Sequence, residues 1–252
     1  MIVAVAGAGG RMGGLVAQTI ADAPEMELGP LYDPRDVGST VAGATIGDDR
    51  AALAEADVVV EFTEPGVVMG NLAAWRSFGL NAVVGTSGFD AKRIAELREE
   101  WGSGPPNCLV APNFSIGAVV MMRLSEIAAP HFAAAEVIEL HHDRKADAPS
   151  GTAIATAERI AAEAPQKRTV ESIELIPGTR GGDVAGVPVH AVRLPGLVAH
   201  QQVLFGGVGE TLTIRHDTTD RTAFTPGVLA AIRAVATLPD PVTVGLESVL
   251  GI

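Results

Sequence analysis

The sequence predicts an α/β protein in which a Rossmann-type parallel-sheet domain is joined to a smaller α+β domain with a mixed or antiparallel sheet. Three observations carry that expectation. The β-rich run Ile2-Val3-Ala4-Val5-Ala6 leads directly into a glycine-rich turn, short apolar runs then alternate with helix-patterned stretches as far as Asn113, and strand-like segments dominate afterwards. Alternation of this kind is what a parallel sheet with crossover helices writes into a chain.

In the first part, strands are expected at 2–6, 27–33, 58–63, 81–86 and 108–113, with helices at 11–21, 66–78 and 91–101. The run Gly102-Ser103-Gly104-Pro105-Pro106 breaks the third helix. Beyond Asn113, a long apolar helix at 116–132 leads to a strand at 136–142 and a short helix at 152–163. Strands at 172–176, 187–194, 202–205 and 211–216 follow, the last two joined through Gly206-Gly207-Val208-Gly209. A helix at 226–236 closes the pattern. The domain boundary is expected near Asn113, and the final helix could pack on either domain.

A chain of 252 residues with 47% hydrophobic content buries a full core, and with only 4% aromatics that core is built from small aliphatic side chains. A formal charge of −12 opposes any generic attraction to nucleic acid or to an anionic membrane, so neither is expected as a partner and an anionic ligand needs a local basic site. The chain opens on a strand-like run, with neither a basic leader pattern nor an apolar stretch of bilayer length, and a cytoplasmic location is expected. Cys108 is the only cysteine, which excludes an internal disulfide and a cysteine-based zinc cluster. It reads as a buried spectator, with a catalytic thiol as the other reading.

Straight after the first strand comes Gly7-Ala8-Gly9-Gly10-Arg11-Met12-Gly13. One glycine turns the chain sharply out of the strand, the next lets a pyrophosphate approach the backbone, and the last lets helix and strand pack closely. The phosphate then meets free amides at the positive end of a helix. Glycine-rich βα turns also occur without any nucleotide, but here the second strand ends at Asp33, twenty residues beyond Gly13, where a carboxylate suits a ribose hydroxyl. Asp33 would repel a 2′-phosphate while Arg35 and Arg11 could attract one, which leaves NADH and NADPH both open. Phe62-Thr63, Gly85-Thr86-Ser87-Gly88 and Ala111-Pro112-Asn113-Phe114 each fall at the carboxyl end of an expected strand, the side of a parallel sheet that borders its ligand crevice. Thr and Asn also simply make turns.

The second domain carries Glu139-Leu140-His141-His142-Asp143-Arg144-Lys145, followed by Ala146-Asp147-Ala148-Pro149-Ser150-Gly151-Thr152. Two of the six His and one of only three Lys stand here, a basic cluster in an acidic chain. It runs into a helix start, because Pro149 biases Ala148 away from helix and Ser150 can cap the free amides. Such an end binds carboxylate or phosphate, so His, Lys and amides within this stretch form a cradle for a small anionic substrate with a proton donor beside it. A solvated charged turn is the plain alternative. Adjacent histidines without nearby acidic ligands at a recognisable spacing argue against a metal site, and the Asp residues could instead orient side chains.

Together these residues resemble the 4-hydroxy-tetrahydrodipicolinate (dihydrodipicolinate) reductase family, over essentially the whole chain. The segment 139–152 is the most specific marker, supported by 7–13, 85–89, 111–117 and the ending 215–224. The resemblance implies that Gly7, Ala8, Gly9, Gly10, Arg11, Met12, Asp33, Gly85, Thr86, Ser87, Ala111, Pro112, Asn113 and Phe114 hold NADH or NADPH. It implies His141 as the acid/base residue and Lys145 as the proton donor, with His142, Ser150, Gly151 and Thr152 on the substrate carboxylates. The implied reaction is hydride transfer to C4 of a cyclic unsaturated imine dicarboxylate and protonation at C3, in lysine and diaminopimelate biosynthesis. The implied domains are 1–113 with 221–252 for the dinucleotide and 114–220 for substrate and for assembly into a homotetramer. Glu61 and Ser87 depart mildly from the family's Asp and Thr, and Pro34 stands where some members carry a basic residue after the ribose-binding acid.

A sugar-type oxidoreductase with the same opening would show a Glu-Lys-Pro turn, and the comparable turn here is Thr63-Glu64-Pro65. A semialdehyde dehydrogenase would need a thiol nucleophile, which Cys108 on an expected buried strand is badly placed to be. A binding module that kept the fold and lost the chemistry would not need the His141 and Lys145 pair.

Overall fold

A computed structural model describes residues 1–164 and 172–252. Along the chain lie β1 (Ile2–Ala6), α1 (Arg11–Ala21), β2 (Glu27–Tyr32), β3 (Thr40–Val41), β4 (Ala44–Gly47), β5 (Val58–Glu61), α2 (Val68–Ser77), β6 (Asn81–Val84), α3 (Ala91–Trp101) and β7 (Cys108–Val110). Then come α4 (Ile116–Ala128), β8 (Ala134–His141), α5 (Gly151–Glu163), β9 (Gly182–Val184), β10 (Val187–Arg193), β11 (Ala199–Gly207), β12 (Glu210–Thr218), α6 (Thr225–Ala234), β13 (Val242–Val244) and α7 (Glu247–Leu250). They form two compact units, one of residues 1–116 and 224–252, the other of residues 117–223. Among the described residues no helix is long and apolar enough to cross a membrane.

The first unit is an eight-stranded sheet in the order β13-β7-β6-β5-β1-β2-β4-β3. All its pairings are parallel except that of β3 with β4. β1 is central and almost wholly buried, as its unbroken apolar run requires of a strand covered on both faces. Chain order reverses on either side of it: β2 lies to one side and β5 to the other, so the crevice of the sheet opens at the carboxyl end of β1. α1 buries Gly13, Val16, Ala17 and Ile20, one stripe at helical spacing. On the same sheet, Trp75 and Trp101 pack with Leu72, Leu97 and Val84, and each indole N–H has a partner: Glu61 at 2.8 Å and the Pro106 carbonyl at 2.7 Å.

The second unit is a five-stranded mixed sheet, β12-β11-β8-β10-β9. β8 runs parallel to β10 and antiparallel to β11, with Arg193 opposite His141 in one ladder and Gln201 opposite Glu139 in the other. α5 covers one face through Ala153, Ala157 and Ile160, against Val137, Val189, Val203 and Phe205.

Several expectations need correction. Residues 172–176, expected as a strand, are irregular and leave Ile173 and Leu175 about nine-tenths exposed. The helix expected at 116–132 ends at Ala128, where Pro130 in a short 3₁₀ turn removes the amide that would continue it. The last helix, expected at 226–236, ends at Ala234; it lies in the first unit, one of the two placements left open, and so does β13, a strand not expected at all. The hairpin β3-β4 was also not expected, and it turns on Ala42 and Gly43, both at positive φ.

Candidate active site

The glycine turn between β1 and α1 is packed to the limit of what backbone allows. A Cβ on Gly7 would lie 2.4 Å from the Phe62 carbonyl oxygen, and one on Gly13 would lie 2.0 Å from the Gly7 oxygen. Gly7 also sits at φ +84°, a conformation glycine adopts freely. Gly10 caps α1 with no side-chain hydrogen bond, and the helix has no acidic residue in its first turn. The helix end thus offers its amides and positive pole to an anion, which fits the pyrophosphate of a dinucleotide.

Asp33 follows β2 directly and is 2% exposed, with one carboxylate oxygen accepting the Arg35 amide at 3.1 Å. It lines a recess of about 160 Å³ with Tyr32, Arg35, Arg50, Thr63 and Glu64. A carboxylate at the end of the second strand beside such a recess fits a ribose diol. The remaining turns lie where the sequence puts them. Thr86 is buried and donates to the Glu61 carbonyl at 3.3 Å, while Ser87 is exposed. A Cβ on Gly85 would meet the Phe62 ring at 2.1 Å. Ala111 continues the β7 ladder onto Val84, Asn113 accepts the Ser115 amide at 2.8 Å, and the Phe114 ring packs tilted against Phe62, centroids 5.7 Å apart.

Sequence reasoning noticed Glu61 only as a departure from a motif. Its carboxylate is fully buried and accepts from Trp75, from Asn71, from the Thr63 amide at 3.2 Å and from the Thr63 hydroxyl. Burial pushes this carboxyl above its ordinary range against those hydrogen bonds. The residue thereby fixes the turn at Thr63 that lines the Asp33 recess.

In the second unit, Glu139 sits near the end of β8 with its carboxylate wholly buried. Arg193 grips both oxygens, Nη1 to Oε2 and Nη2 to Oε1, each at 2.8 Å. His141 Nδ1 meets Oε2 at 2.5 Å, and the Ser150 amide donates to Oε1 at 3.1 Å. Burial alone would raise this carboxyl, but the hydrogen bonds and charges of His141 and Arg193 outweigh it and hold it at about 2. The reading of 139–152 finds His141 and Ser150 here. It misses Arg193, which reaches the site only because β10 pairs with β8. The signal in the sequence was a lone Arg inside an apolar strand pattern.

Lys145 pairs with both oxygens of Asp147 at 2.7 Å, and the Asp147 carbonyl accepts Arg193 Nη2 at 2.6 Å. The Lys145 hydrogen bond lowers the Asp147 carboxyl below its usual range. Ser150 caps α5 by accepting the Ala153 amide at 3.2 Å, and Gly151 opens the helix beside Thr152 with no acidic residue in the first turn. His142 Nδ1 is buried with no hydrogen-bond partner among the described residues, an atom that a polar ligand would satisfy. Cys108 is fully buried, and burial with the nearby Glu61 charge drives its thiol far up, so it is no nucleophile. Among the described residues no cluster of three metal-ligating side chains occurs.

Nicotinamide redox chemistry needs a turn that takes pyrophosphate and side chains that move a proton. The first unit has a turn that fits the one and the second a cluster of His with a buried carboxylate that fits the other, and the class that fold and site define is a nicotinamide-dependent oxidoreductase. The particular family follows from comparison with known proteins. Residues 1–114 match the family model for the dihydrodipicolinate reductase N-terminus, and residues 117–250 match that for its C-terminus. The chain belongs to the dihydrodipicolinate reductase family. It is 51% identical to the 4-hydroxy-tetrahydrodipicolinate reductase of Thermobifida fusca, over 99% of both chains. It is 49% identical to that of Cutibacterium acnes, over 99% of this chain and 98% of the relative. A dipicolinate-bound dihydrodipicolinate reductase from Paenisporosarcina sp. TG-14 superposes with a TM-score of 0.88 at 35% identity, over 98% of each chain.

Proposed function

We propose that this chain reduces 4-hydroxy-tetrahydrodipicolinate, by way of dihydrodipicolinate, to tetrahydrodipicolinate with NADH or NADPH, as a step of lysine and diaminopimelate biosynthesis. The observation that carries this is the cluster in which ionised Glu139 holds His141 beside the capped start of α5. Relatives of about half-identical sequence bear the name of that reductase, and the related bacterial structure holds dipicolinate, a ring dicarboxylate.

When bound, the dinucleotide supplies the hydride that goes to C4 of the substrate ring. Gly7, Ala8, Gly9, Gly10, Arg11 and Met12 would hold its pyrophosphate, Asp33 its ribose, and the turns at Gly85-Thr86-Ser87 and Ala111-Pro112-Asn113-Phe114 the rest. The amides of Gly151 and Thr152, with Ser150 and His142, take the substrate carboxylates. Lys145, drawn from Asp147 by those carboxylates, delivers the proton to C3, and His141 serves as the acid/base group that steadies the charge developing on the ring. The first unit, with the C-terminal residues, is the dinucleotide-binding domain and the second binds substrate.

Substrate-dependent oxidation of NADH and NADPH by the purified chain, given freshly generated 4-hydroxy-tetrahydrodipicolinate, tests this reading. Oxidation above the rate without substrate is expected, and its absence with both cofactors would overturn the assignment.

The enzyme is further proposed to be a cytoplasmic homotetramer joined through its second unit. Two features support assembly. The nine-residue strand β12 is mostly exposed along its length and, among the described residues, has no neighbour on its outer side, and an edge of that length calls for cover. The exposed apolar side chains of Ile173, Leu175 and Ile176 lie on the same unit. Light scattering should return four chains per particle; a monomer would refute it.

A further inference from the structure

We propose that the buried Glu139–Arg193 pair is a positioning device: it fixes His141 in the Nδ1–H tautomer and ties the strand, the lysine loop and the start of α5 to one point. The proposal rests on the reading above that His141 is the acid/base residue. Neither Glu139 nor Arg193 is assigned any contact with substrate.

Four nitrogens reach the Glu139 carboxylate: Nη1 and Nη2 of Arg193 and the Ser150 amide donate to it, and His141 Nδ1 meets its remaining site. A carboxylate has about four lone-pair sites and, when ionised, no proton to give. Its oxygens are therefore fully used, and the group stays ionised throughout any working pH. The nitrogen of His141 that faces it must then carry the hydrogen. Nε2 is left as the nitrogen that gains and loses a proton, which is the state an acid/base imidazole needs in order to act on a ligand.

The pair also acts at a distance along the chain. Val137, Glu139 and His141 share the β8 face that α5 covers, and the β8–β10 ladder sets Arg193 opposite His141. From there, Arg193 Nη2 also holds the Asp147 carbonyl, whose own carboxylate carries Lys145. On the other side, the Ser150 amide ties the N-cap of α5 to Glu139 Oε1. One carboxylate thus links the imidazole, the lysine loop and the helix start. A guanidinium fork suits this task because it grips both oxygens at once and still has a proton for the loop; a lysine would do one of these. Arg193 Nε is buried without a partner among the described residues, a cost that a surface ion pair would not bear.

The test reads tautomer and turnover separately. In the unmodified protein, nitrogen NMR of the His141 ring, recorded without substrate, should show Nδ1 protonated and Nε2 bare in the neutral state. Glu139→Gln and the milder Arg193→Lys should each lower kcat by at least about tenfold and leave the Kd for NADH within about twofold, and Glu139→Gln, which removes the ionised carboxylate, should also give a mixed His141 tautomer. An Nε2–H tautomer in the unmodified protein would overturn the proposal, and so would wild-type kcat in either folded variant. Should both variants misfold, the ring tautomer of the unmodified protein decides. An unmodified protein that turns over no substrate sinks the assigned reaction instead, while the tautomer, read with no substrate present, still judges the device.

Discussion

Arg35 Nη1 and Glu64 Oε1 meet at 2.5 Å beside the recess of Asp33. The guanidinium best placed by sequence to greet a 2′-phosphate is thus already paired, and the Asp33 carboxylate beside it is buried. Arg50, the other cation of the recess, donates to the Tyr32 hydroxyl at 3.2 Å. NADH is therefore expected to bind more tightly than NADPH. Because the pair is exposed, its weight is modest. Glu64→Gln should improve NADPH affinity relative to NADH by about two- to fivefold, and Arg35→Ala should worsen it by a similar factor. Fluorescence titration with both cofactors at two salt concentrations measures this, since the effect should shrink as salt rises.

His141 and Lys145, proposed above as the acid/base pair, lie in the second unit and the glycine turn lies in the first, and the consequences of mutation should separate accordingly. His141→Ala or Lys145→Ala should cut kcat by about 10²- to 10⁴-fold. Neither should change the Kd for NADH, because the glycine turn and the Asp33 recess are built from the first unit's own residues. Unchanged turnover in both variants would remove these residues from the mechanism.

Local signals in the sequence were legible and distant ones were not. The bounds of α1 and α3 emerge as expected: a glycine turn announces the start of α1 and the Gly-Pro run 102–106 the end of α3. The cluster of Glu139, His141 and Ser150 was legible because its members lie within one short segment. Arg193 stands some fifty residues from His141, and only the β8–β10 register unites them. Glu61 looked like a substitution in a motif, since its donors Asn71 and Trp75 come from a helix whose packing no local pattern announces. β13 spans three residues, too few for alternation to register. The alternating apolar residues at 172–176 imitate a strand, yet they have no neighbour to pair with among the described residues.

Glu139 also makes stability depend on pH with a definite sign. Its carboxyl is held at about 2 in the fold against an ordinary value of 4.5. A depressed carboxyl contributes stability that is whole above about pH 4.5 and is lost as pH falls towards about 2. The gap corresponds to about 3 kcal/mol. Glu61, raised by burial, works in the opposite sense, costing stability when ionised and less as the pH falls. The contribution of Glu139 is therefore best isolated by difference. Urea unfolding of the unmodified chain and of Glu139→Gln should diverge near neutrality and converge between about pH 4.5 and about pH 2. Parallel curves over that range would contradict the assignment.

Gly13 and Gly14 are neighbours in α1 with opposite expectations. A Cβ at Gly13 would sit 2.0 Å from the Gly7 oxygen and 2.7 Å from the Gly7 carbonyl carbon, both backbone atoms of the cofactor turn. Gly13→Ala must therefore push the helix off β1 or distort the turn, and overpacking of this kind costs about 1–3 kcal/mol. The displaced turn should also lose dinucleotide affinity. At Gly14 the nearest atom, the Ala8 oxygen, lies at 3.4 Å, an ordinary contact. Gly14→Ala should be tolerated and gain up to about 1 kcal/mol from the better helix former. Thermal melts with and without NADH separate the two effects: Gly13→Ala should melt earlier and gain little from NADH, whereas Gly14→Ala should melt no earlier than the unmodified chain and keep its full shift. If Gly13→Ala bound NADH normally, close helix–strand packing would not be what that glycine provides.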